Sequence, residues 1–529
     1  MTEAADRLFV NGEVHTLATP DETHEAVAVR DGAIVRIGGS REIAFLEGVD
    51  TDVVDLDGRV LLPGFVDAHT HLTTVGRYLV HADLSTADSP DEAVELLAER
   101  AAEVEAAGDG SGDSADADDP VLGYGYDESA WEEERYLTRA DLDRVSAERP
   151  VAAFREDMHV AAVNGVALDR FAEALAAAPD ETVPTDDDGE PTGVLLESAI
   201  DPIYEAFESG PAETREIVEA ALADCAAKGI TGFHDMVRNS HAPRAYRELD
   251  AAGELTARVR VNYWSDHLDA LREVGLGTND GSEMVQTGAI KSYTDGSFGG
   301  RTAKLSEPYA DDPEETGQWV VDPDELAETV AAATEAGYQF TAHAIGDEAV
   351  DAVLDAYEEA SRTDPGESRH RVEHVELADD EAIDRLAASG VVASAQPNFL
   401  KWAGEDGLYE SRLGRERTAA TNRYRDMLDA GVDLAFGSDG MPMDPLLGVH
   451  HAVNARAEAQ RLTVTEALRA YTRGAAYAGF DEDRLGTVEV GKRADLVALD
   501  ESPWADPTAI RDVDVAMTVV DGEVVYDAR

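Results

Sequence analysis

Short apolar runs separated by turn signals open the chain. The four runs are Arg7–Val10, Ala26–Val29, Ala33–Ile37 and Val53–Leu56. An Asn-Gly, Asp-Gly or Gly-Gly pair follows each run, and such pairs between apolar runs are strong hairpin signals. Ala494–Leu499 and Val515–Val520 repeat the pattern near the end of the chain. We therefore predict one small, β-sandwich-like domain built from both termini, residues 1–61 and 483–529.

The long middle of the chain alternates strand-like runs with alanine-rich helical stretches. The eight candidate strands are Phe65–His71, Thr231–Asp235, Arg258–Trp264, Ala289–Asp295, Gln339–His343, Arg371–Glu376, Val391–Gln396 and Asp433–Asp439. This alternation is typical of parallel strands joined by helices, and eight such pairs close into a barrel. We therefore predict an α/β fold in which residues 62–482 form a (β/α)8 TIM-type barrel.

The connection between the first two barrel strands is much longer than a crossover helix needs. It contains a ninth strand-like run, Val151–Arg155. We assign the connection to a subdomain inserted after barrel strand 1, at about residues 83–211. Within it, Gly108–Asp119 is acidic and of low complexity, which predicts a mobile loop.

The charge of the chain is extreme. Its formal net charge is −68, and only five of its 529 residues are lysines. Carboxylate-rich, lysine-poor surfaces suit molar salt, where the Debye length falls to about 3 Å and self-repulsion is screened. We therefore predict a halophilic source. The same charge argues against nucleic acid and against an anionic membrane as partners.

Several features indicate a cytoplasmic protein. The single cysteine, Cys225, lies in a helical run and is predicted to be a core thiol rather than part of an intrachain disulfide. Residues Met1–Arg7 are acidic and lack the apolar segment of a secretory signal. No run approaches the roughly 18 apolar residues of a membrane span.

Candidate metal ligands follow the predicted barrel strands. Residues i and i+2 of a strand point to the same side, so His69 and His71 can converge on one ion. The other candidates on strands four, five, six and eight are Lys291, His343, His374 and Asp439. Active sites of such barrels lie at the C-terminal strand ends. Imidazole with carboxylate suits Zn²⁺, and also Mn²⁺, Fe²⁺ or Ni²⁺, so we predict one or two divalent ions, with zinc favoured.

Lys291 is predicted to act through a modified side chain. A lysine desolvated beside metal ions is pushed toward its neutral form. The neutral amine can add CO₂ to give a carbamate, whose two oxygens can bridge ions about 3.5–4 Å apart. The alternative is a salt bridge from Lys291 to Asp295 or Asp439.

Five motifs together resemble the amidohydrolase superfamily. They are Pro63–Leu72, Ile290–Ser297, His343–Asp347, His370–His374 and Gly437–Asp439. Within the superfamily, the likeness is to the amidohydrolase-3 branch of predicted metal-dependent hydrolases, which includes N-substituted formamide deformylases. Gly486–Leu499, with its Gly-Lys-Arg-Ala-Asp-Leu-Val, is also characteristic of that branch. The resemblance covers roughly Leu8 to Val525.

The resemblance implies how the ligands share two metals. One metal is expected on His69, His71 and Asp439. The other is expected on His343 and His374, with carboxylated Lys291 between the two. Asp439 is then the catalytic residue, which takes a proton from the attacking water and passes it to the leaving amine. A site with a single metal is the main variant.

Other residues are candidates for supporting roles. His159, in the inserted subdomain, is predicted to bind substrate or to be a surface histidine. His234 is expected to line the pocket rather than to bind metal. Arg301 could clamp a substrate carboxylate, although a pairing with one of the many acids is favoured. Glu373 is expected to support a ligand rather than to be one. His370, His450 and His451 are expected to be structural.

The function favoured by these residues is hydrolysis of a non-peptide C–N bond in a small molecule, of the amide, formamide or carbamate type. Hydrolysis of an ester, lactone or cyclic amide, or deamination, is the alternative on the same site. A non-catalytic scaffold predicts missing ligands, yet all six positions are filled. The sequence does not identify the substrate, and it leaves the oligomeric state open, a homodimer being one alternative.

Overall fold

The structure is a computed structural model that describes residues 4–108, 119–156, 159–179, 182–186, 188–363 and 368–529. The chain divides into two compact units, Met1–Leu72 with Leu222–Arg529, and Thr73–Ala221. Residues 109–118 of the predicted acidic loop lie outside the described residues.

Seven short strands begin the first unit. They are β1 (Arg7–Val10), β2 (Glu13–His15), β3 (Thr23–His24), β4 (Ala26–Arg30), β5 (Ala33–Gly38), β6 (Asp52–Asp55) and β7 (Val60–Pro63). The predicted turns carry the expected backbone, since Asn11, Asp31 and Asp57 all have φ between 51° and 58°. Four of these strands form one sheet in the order β5-β4-β1-β6.

The second unit contains its own sheet. After β8 (Phe65–Thr70), which belongs to the first unit, the chain forms β9 (Ala82–Asp83), β10 (Val121–Tyr126), β11 (Val151–Arg155), β12 (Val160–Val163) and β13 (Val194–Leu196). These five strands lie in the order β13-β12-β11-β10-β9. The ninth strand-like run of the sequence is β11, so it belongs to this sheet and not to the barrel.

Eight parallel strands form the barrel. They are β8, β14 (Ile230–Val237), β15 (Arg258–Trp264), β16 (Val285–Tyr293), β17 (Phe340–Ala344), β18 (Arg371–His374), β19 (Val392–Ala395) and β20 (Leu434–Phe436). Neighbours along the chain are neighbours in the sheet, from β8 through β14 to β20. Every predicted barrel strand is present, so the predicted TIM-type fold is confirmed.

Three final strands complete a sheet from both ends of the chain. They are β21 (Leu496–Leu499), β22 (Val515–Val520) and β23 (Glu523–Asp527). The sheet has the order β23-β22-β21-β7-β2-β3. Phe9, Val14, Leu61, Leu496 and Met517 share one buried core, so apolar residues from the two termini pack together. The exact domain boundaries at residues 61/62 and 482/483 stay a prediction.

Helices fill most of the connections. The helices up to Ala252 are α1 (Ser40–Ile43), α2 (Leu72–Val80), α3 (Pro90–Gly108), α4 (Arg139–Leu142), α5 (Gly165–Arg170), α6 (Ala172–Leu175), α7 (Asp201–Ala206), α8 (Pro211–Ala227) and α9 (Ala242–Ala252). The later ones are α10 (Leu268–Val274), α11 (Pro323–Glu335), α12 (Asp347–Thr363), α13 (Asp380–Ser389), α14 (Leu408–Ala419), α15 (Tyr424–Ala430), α16 (Pro445–Val453), α17 (Val464–Arg469) and α18 (Ala475–Ala478).

Local signals set the helix ends. Helix α13 begins after Asp379, whose side chain accepts a hydrogen bond from Ala382 N, and it stops at Gly390, whose φ of 67° is easy only for glycine. Among the described helices, none combines the length and the apolar character needed to cross a membrane.

Candidate metal centre at the strand ends

His69 faces the interior of the barrel, where its Nδ1 lies 2.7 Å from Glu373 Oε2. Regular alternation does not hold along this part of β8, because its pairing with β14 shifts register between Asp67 and Thr70. His69 is buried, whereas the side chain of His71, just past the strand, is 29% exposed.

An unusual backbone brings His374 to the same place. Glu373 of β18 faces the interior, so alternation alone would turn His374 away. His374 and Val375 instead have φ of 74° and 49°, which ends the strand and redirects the chain. A β-branched residue in this left-handed region is rare and strained. Hydrogen bonds from Val375 N to Ala344 O (3.1 Å) and to Glu373 O (3.0 Å) hold the conformation.

Asp439 completes a group of three ligand atoms. It follows β20 in a left-handed conformation (φ 57°). Its Oδ1 lies 3.4 Å from His69 Nε2 and 3.4 Å from His71 Nε2. One side-chain ligand atom from each of His69, His374 and Asp439 lies within 4.8 Å of the other two. The structure thus gathers residues from β8 and from the ends of β18 and β20, which are far apart in sequence.

His343 and Lys291 lie beside this group. The rings of His343 and His374 are 4.4 Å apart. His343 Nε2 donates to Gly296 O (3.0 Å), since a carbonyl only accepts, so its Nδ1 keeps a lone pair. Lys291 is 1% exposed, and its Nζ lies 6.0 Å from the ring centroid of Trp264 and 5.9 Å from that of Tyr293.

Lys291 does not form the alternative salt bridge. The carboxylate of Asp295 instead accepts hydrogen bonds from Lys304 N (2.8 Å), Ile345 N (3.1 Å) and Gly346 N (2.9 Å). Lys291 makes no ion pair with Asp439 or with any other carboxylate in the described part of the chain. Burial without a counter-ion at hydrogen-bond distance moves the pKa of this amine down toward neutrality.

Burial keeps the imidazoles neutral. Desolvation, assisted by the charge of Lys291, lowers the pKa of His69 to about 3 and of His343 to about 3, and it lowers the pKa of His71 to about 4. Burial likewise lowers the pKa of Lys291 and raises the pKa of Asp439. The site therefore holds neutral nitrogen donors, which is the form that binds metal.

A set of buried polar side chains lies behind these ligands, and we call His234, Thr341, Arg371 and Glu373 the inner polar layer. Glu373 Oε2 is 2.7 Å from His69 Nδ1, and its Oε1 is 2.7 Å from an Arg371 nitrogen. Thr341 also donates to Glu373. Although burial opposes ionisation, the charge of Arg371 and the hydrogen bond from His69 hold the pKa of Glu373 well below its usual value. Because this carboxylate only accepts, His69 carries its proton on Nδ1 and leaves Nε2 free.

The predicted supporting residues have other partners. His234 Nδ1 accepts a hydrogen bond from Arg371 (2.8 Å), so it lies in the inner polar layer. Arg301 pairs with Asp311 through Nε (3.1 Å) and Nη2 (2.8 Å). His159 belongs to the second compact unit, where its exposed ring lies 3.0 Å from a carboxylate oxygen of Glu197. Substrate binding by these three residues stays a prediction.

Two buried aspartates were missed as site residues by the sequence reasoning. Asp67 accepts hydrogen bonds from His69 N (3.0 Å) and Ser438 N (3.0 Å). Asp295 holds the loops that follow β16 and β17, as described above. Both lie close in sequence to a predicted ligand, Asp67 two residues before His69 and Asp295 four after Lys291. This proximity in sequence could have marked both aspartates as candidate site residues. It does not reveal which backbone amides donate to their carboxylates.

The donor set fits a divalent cation. Two atoms that share a tetrahedral Zn²⁺ at about 2.0–2.1 Å lie about 3.3–3.4 Å apart. His69 Nε2 and Asp439 Oδ1 are 3.4 Å apart, which matches that separation. His374 Nδ1 is buried and has no hydrogen-bond partner among the described residues. A buried orphan nitrogen is costly unless something binds it, and a metal ion would do so.

A family comparison agrees with this geometry. The family model described as "Amidohydrolase family" matches residues 52–526, which is most of the chain. The chain belongs to the amidohydrolase family. The resemblance seen in the motifs, including the amidohydrolase-3 branch, is thereby confirmed.

Several proteins are similar to this chain over nearly its full length. A putative amidohydrolase, YtcJ, of Bacillus subtilis (strain 168) is 32% identical and covers 98% of this chain and 99% of its own length. An N-substituted formamide deformylase of Arthrobacter pascens is 27% identical over 100% of this chain and 99% of its own. The crystal structure of an uncharacterized metal-dependent hydrolase from Pyrococcus furiosus has a TM-score of 0.77 and 31% identity, covering 94% of this chain and 99% of that one.

Proposed function

We propose that this member of the amidohydrolase family is a metal-dependent hydrolase that cleaves a non-peptide C–N bond of the amide, formamide or carbamate type. The observation that carries the proposal is the group of His69, His374 and Asp439, whose ligand atoms lie within 4.8 Å of one another. The family and the metal-dependent hydrolase of similar structure are consistent with it.

The proposed ligands are the six residues named from the sequence. They are His69, His71, Lys291, His343, His374 and Asp439. When bound, one or two Zn²⁺ ions or similar divalent ions would polarise the substrate carbonyl and lower the pKa of a bound water. The remaining chemistry belongs to the side chains of the protein.

Lys291 is proposed to be carboxylated when two ions are bound. Its burial lowers its pKa, and it lacks a carboxylate partner among the described residues. The neutral amine adds CO₂ and loses a proton, which gives a carbamate with two donor oxygens. In a site with one ion, Lys291 would instead stay an amine beside the aromatic rings of Trp264 and Tyr293.

Asp439 is proposed to carry the proton through the reaction. Its carboxylate would accept a proton from the attacking water and return it to the departing amine nitrogen. Burial raises the pKa of Asp439, which brings it closer to neutrality than an ordinary carboxylate. A group of this kind can both take and release a proton at the same pH.

The type of bond is proposed from one relative. The Arthrobacter pascens protein is named an N-substituted formamide deformylase, and a formamide has the C–N bond that Asp439 would help to break. Hydrolysis of an ester, lactone or cyclic amide, or deamination, is the alternative on the same site. A deaminase of the superfamily usually works with one metal and no bridging lysine, so Lys291 disfavours it.

We also propose a halophilic, cytoplasmic setting. The net charge of −68 and the scarcity of lysine support it. The substrate is proposed to be a small molecule, with no role for nucleic acid or an anionic membrane.

Metal analysis tests the proposal. The purified protein would be prepared in molar salt with Zn²⁺ and analysed for bound metal, together with Lys291→Ala. Lys304→Ala is the matched control, because Lys304 bonds to Thr316 and Glu348 instead of lying among the ligands. Two ions in the wild type and in the control, falling to one or none in Lys291→Ala, are expected. Screening amides, formamides, esters and deaminase substrates then identifies the bond. No metal in the wild type would contradict the proposal.

A further inference from the structure

The barrel has one seam that is not closed by strand pairing. In the described part of the chain, β8 and β20 are the two ends of the eight-stranded sheet and do not pair with each other. These are the strands that lead to His69 and Asp439, so the distance between two candidate ligands depends on how this seam is held. We call Asp67, His69, Gly437, Ser438 and Asp439 the seam residues.

Hydrogen bonds just beyond β20 replace the missing pairing. Ser438 N and Asp439 N donate to His69 O at 3.1 Å and 2.7 Å. Both bonds end on one carbonyl oxygen. They join the backbone at His69 and Asp439, two of the candidate ligands.

Asp67 adds a further acceptor across the seam, which shares the N–H of Ser438 with His69 O. Its Oδ1 accepts from Ser438 N on one side and from His69 N on the other, both at 3.0 Å. A single carboxylate oxygen thus connects the backbone of β8 with the backbone that follows β20. Asp67 is fully buried, so water does not compete for these amides.

Gly437 shows how closely the two segments approach. A Cβ at this position would lie 2.4 Å from His69 N and 2.9 Å from Asp67 Oδ1. No side chain fits in that gap without displacing backbone, so glycine permits the contact. The seam is therefore tight, and the acceptor of Asp67 lies within it.

We propose that Asp67 is a positioning residue that holds the two strands of the seam together and thereby sets the separation of His69 and Asp439. This role rests on the proposed function, because the separation of His69 and Asp439 matters only if the two residues share a metal ion. Asp67 lies outside the group of ligand atoms formed by His69, His374 and Asp439, and its Oδ1 accepts from two backbone amides. Its loss would let Asp439 move relative to His69 while each side chain stays intact.

Binding of Co²⁺ tests this inference. The metal-free protein would be titrated with Co²⁺ in molar salt, and both the Kd and the visible spectrum of the bound ion would be recorded. The variants are Asp67→Ala, which removes the acceptor, and Asp67→Asn, which keeps an oxygen at Oδ1. The control is Asp495→Asn, because Asp495 is also buried and accepts from Asp521 N, but it pairs with Arg258 away from the ligands.

We expect Asp67→Ala to weaken Co²⁺ binding about 10–100-fold, the range seen when a residue that orients a ligand is removed. Its Co²⁺ spectrum should differ from that of the wild type. Asp67→Asn should restore affinity to within about threefold, and Asp495→Asn should lower the melting temperature without changing the Kd. If Asp67→Ala does not fold, Gly437→Ala provides the second variant, since its methyl group would open the seam and weaken binding similarly.

The outcomes separate this inference from the proposed function. Equal Co²⁺ affinity in the wild type and Asp67→Ala, with only the melting temperature lowered, would overturn the positioning role and leave the metal site standing. Loss of affinity that Asp67→Asn does not restore would also overturn it, because the acceptor would not be what matters. A wild-type protein that binds no Co²⁺ would overturn the proposed function and this inference together.

Discussion

The candidate ligands and the inner polar layer lie side by side in the structure, but they differ in how readily the sequence reveals them. The ligands stand at strand ends and are recognisable by residue type and spacing. The inner polar layer consists of His234, Thr341, Arg371 and Glu373, whose roles depend on partners on other strands. Arg371 of β18, for example, reaches His234 of β14, Ser394 of β19 and Ala68 O of β8. The sequence is therefore enough to locate the candidate ligands, whereas the buried residues that hold them are recognised only in the folded structure.

The largest expected effect is on the ligand side of this comparison. Asp439→Asn removes the proposed proton carrier and weakens a ligand. We expect hydrolysis of the substrate found by screening to fall by about 10²–10⁴-fold, the usual contribution of a general acid–base group. Asp433→Asn, just before β20 at its opposite end, should leave the rate within about threefold. Comparable rates in the wild type and Asp439→Asn would show that the proton is carried elsewhere.

Glu373→Gln should have the next largest effect, because Glu373 connects the inner polar layer to the ligand His69. A Gln side chain can donate as well as accept, whereas the Glu373 carboxylate only accepts. Gln therefore does not fix the proton of His69 on Nδ1, and Nε2 is not kept available for a metal ion. We expect metal affinity to fall about 10–100-fold, measured by competition with a chelator. Glu376→Gln is the matched control, since Glu376 is buried but bonds to Tyr409 and Asn422. An unchanged affinity in Glu373→Gln would mean that the inner polar layer does not act through His69.

His234→Ala should affect stability more than metal binding. It leaves the Arg371 nitrogen that now donates to His234 without that acceptor, in a buried position. Such an orphan donor costs about 1–3 kcal/mol, which denaturant unfolding in molar salt would detect. Metal content should remain that of the wild type. If metal is lost while stability is kept, His234 belongs with the ligands, and the division between the two sets would have to be redrawn.

Arg301→Gln should have the smallest effect. Arg301 already pairs with Asp311 on a partly exposed surface, and Asp311 keeps a second partner in Arg412. Exposed pairs of this kind contribute little. We expect the rate and the KM to stay within about twofold of the wild-type values. A KM increase of tenfold or more, confined to substrates with a carboxylate, would instead assign Arg301 to substrate binding.

Much of the fold was predictable because its signals are local. The eight barrel strands follow from apolar runs at regular intervals, and all eight are present. The boundaries were less accurate. The last strand was predicted as Asp433–Asp439 but forms only Leu434–Phe436. Beyond Gly437 the backbone of Ser438 and Asp439 donates to His69 O of β8, and Asp439 is left-handed (φ 57°); this long-range arrangement is invisible in the sequence.

The site was predictable in its members but not in its geometry. His374 was named from its position at a strand end, yet the left-handed backbone that turns it inward could not be foreseen for a residue followed by Val375. Likewise, Asp295 was considered as a partner of Lys291 because both charges were near in sequence. The backbone amides of two loops take up that carboxylate, and such a contact exists only once the chain has folded.

The central claim is that His69, His374 and Asp439 share a divalent ion with Lys291 beside it. A crystal structure of the Zn²⁺-loaded protein, with data collected on both sides of the zinc absorption edge, tests it most directly. We expect anomalous density among these three side chains, with extra density continuous with Lys291 Nζ if a second ion is present. Anomalous density elsewhere in the barrel, or none at this group in a zinc-loaded crystal, would contradict it.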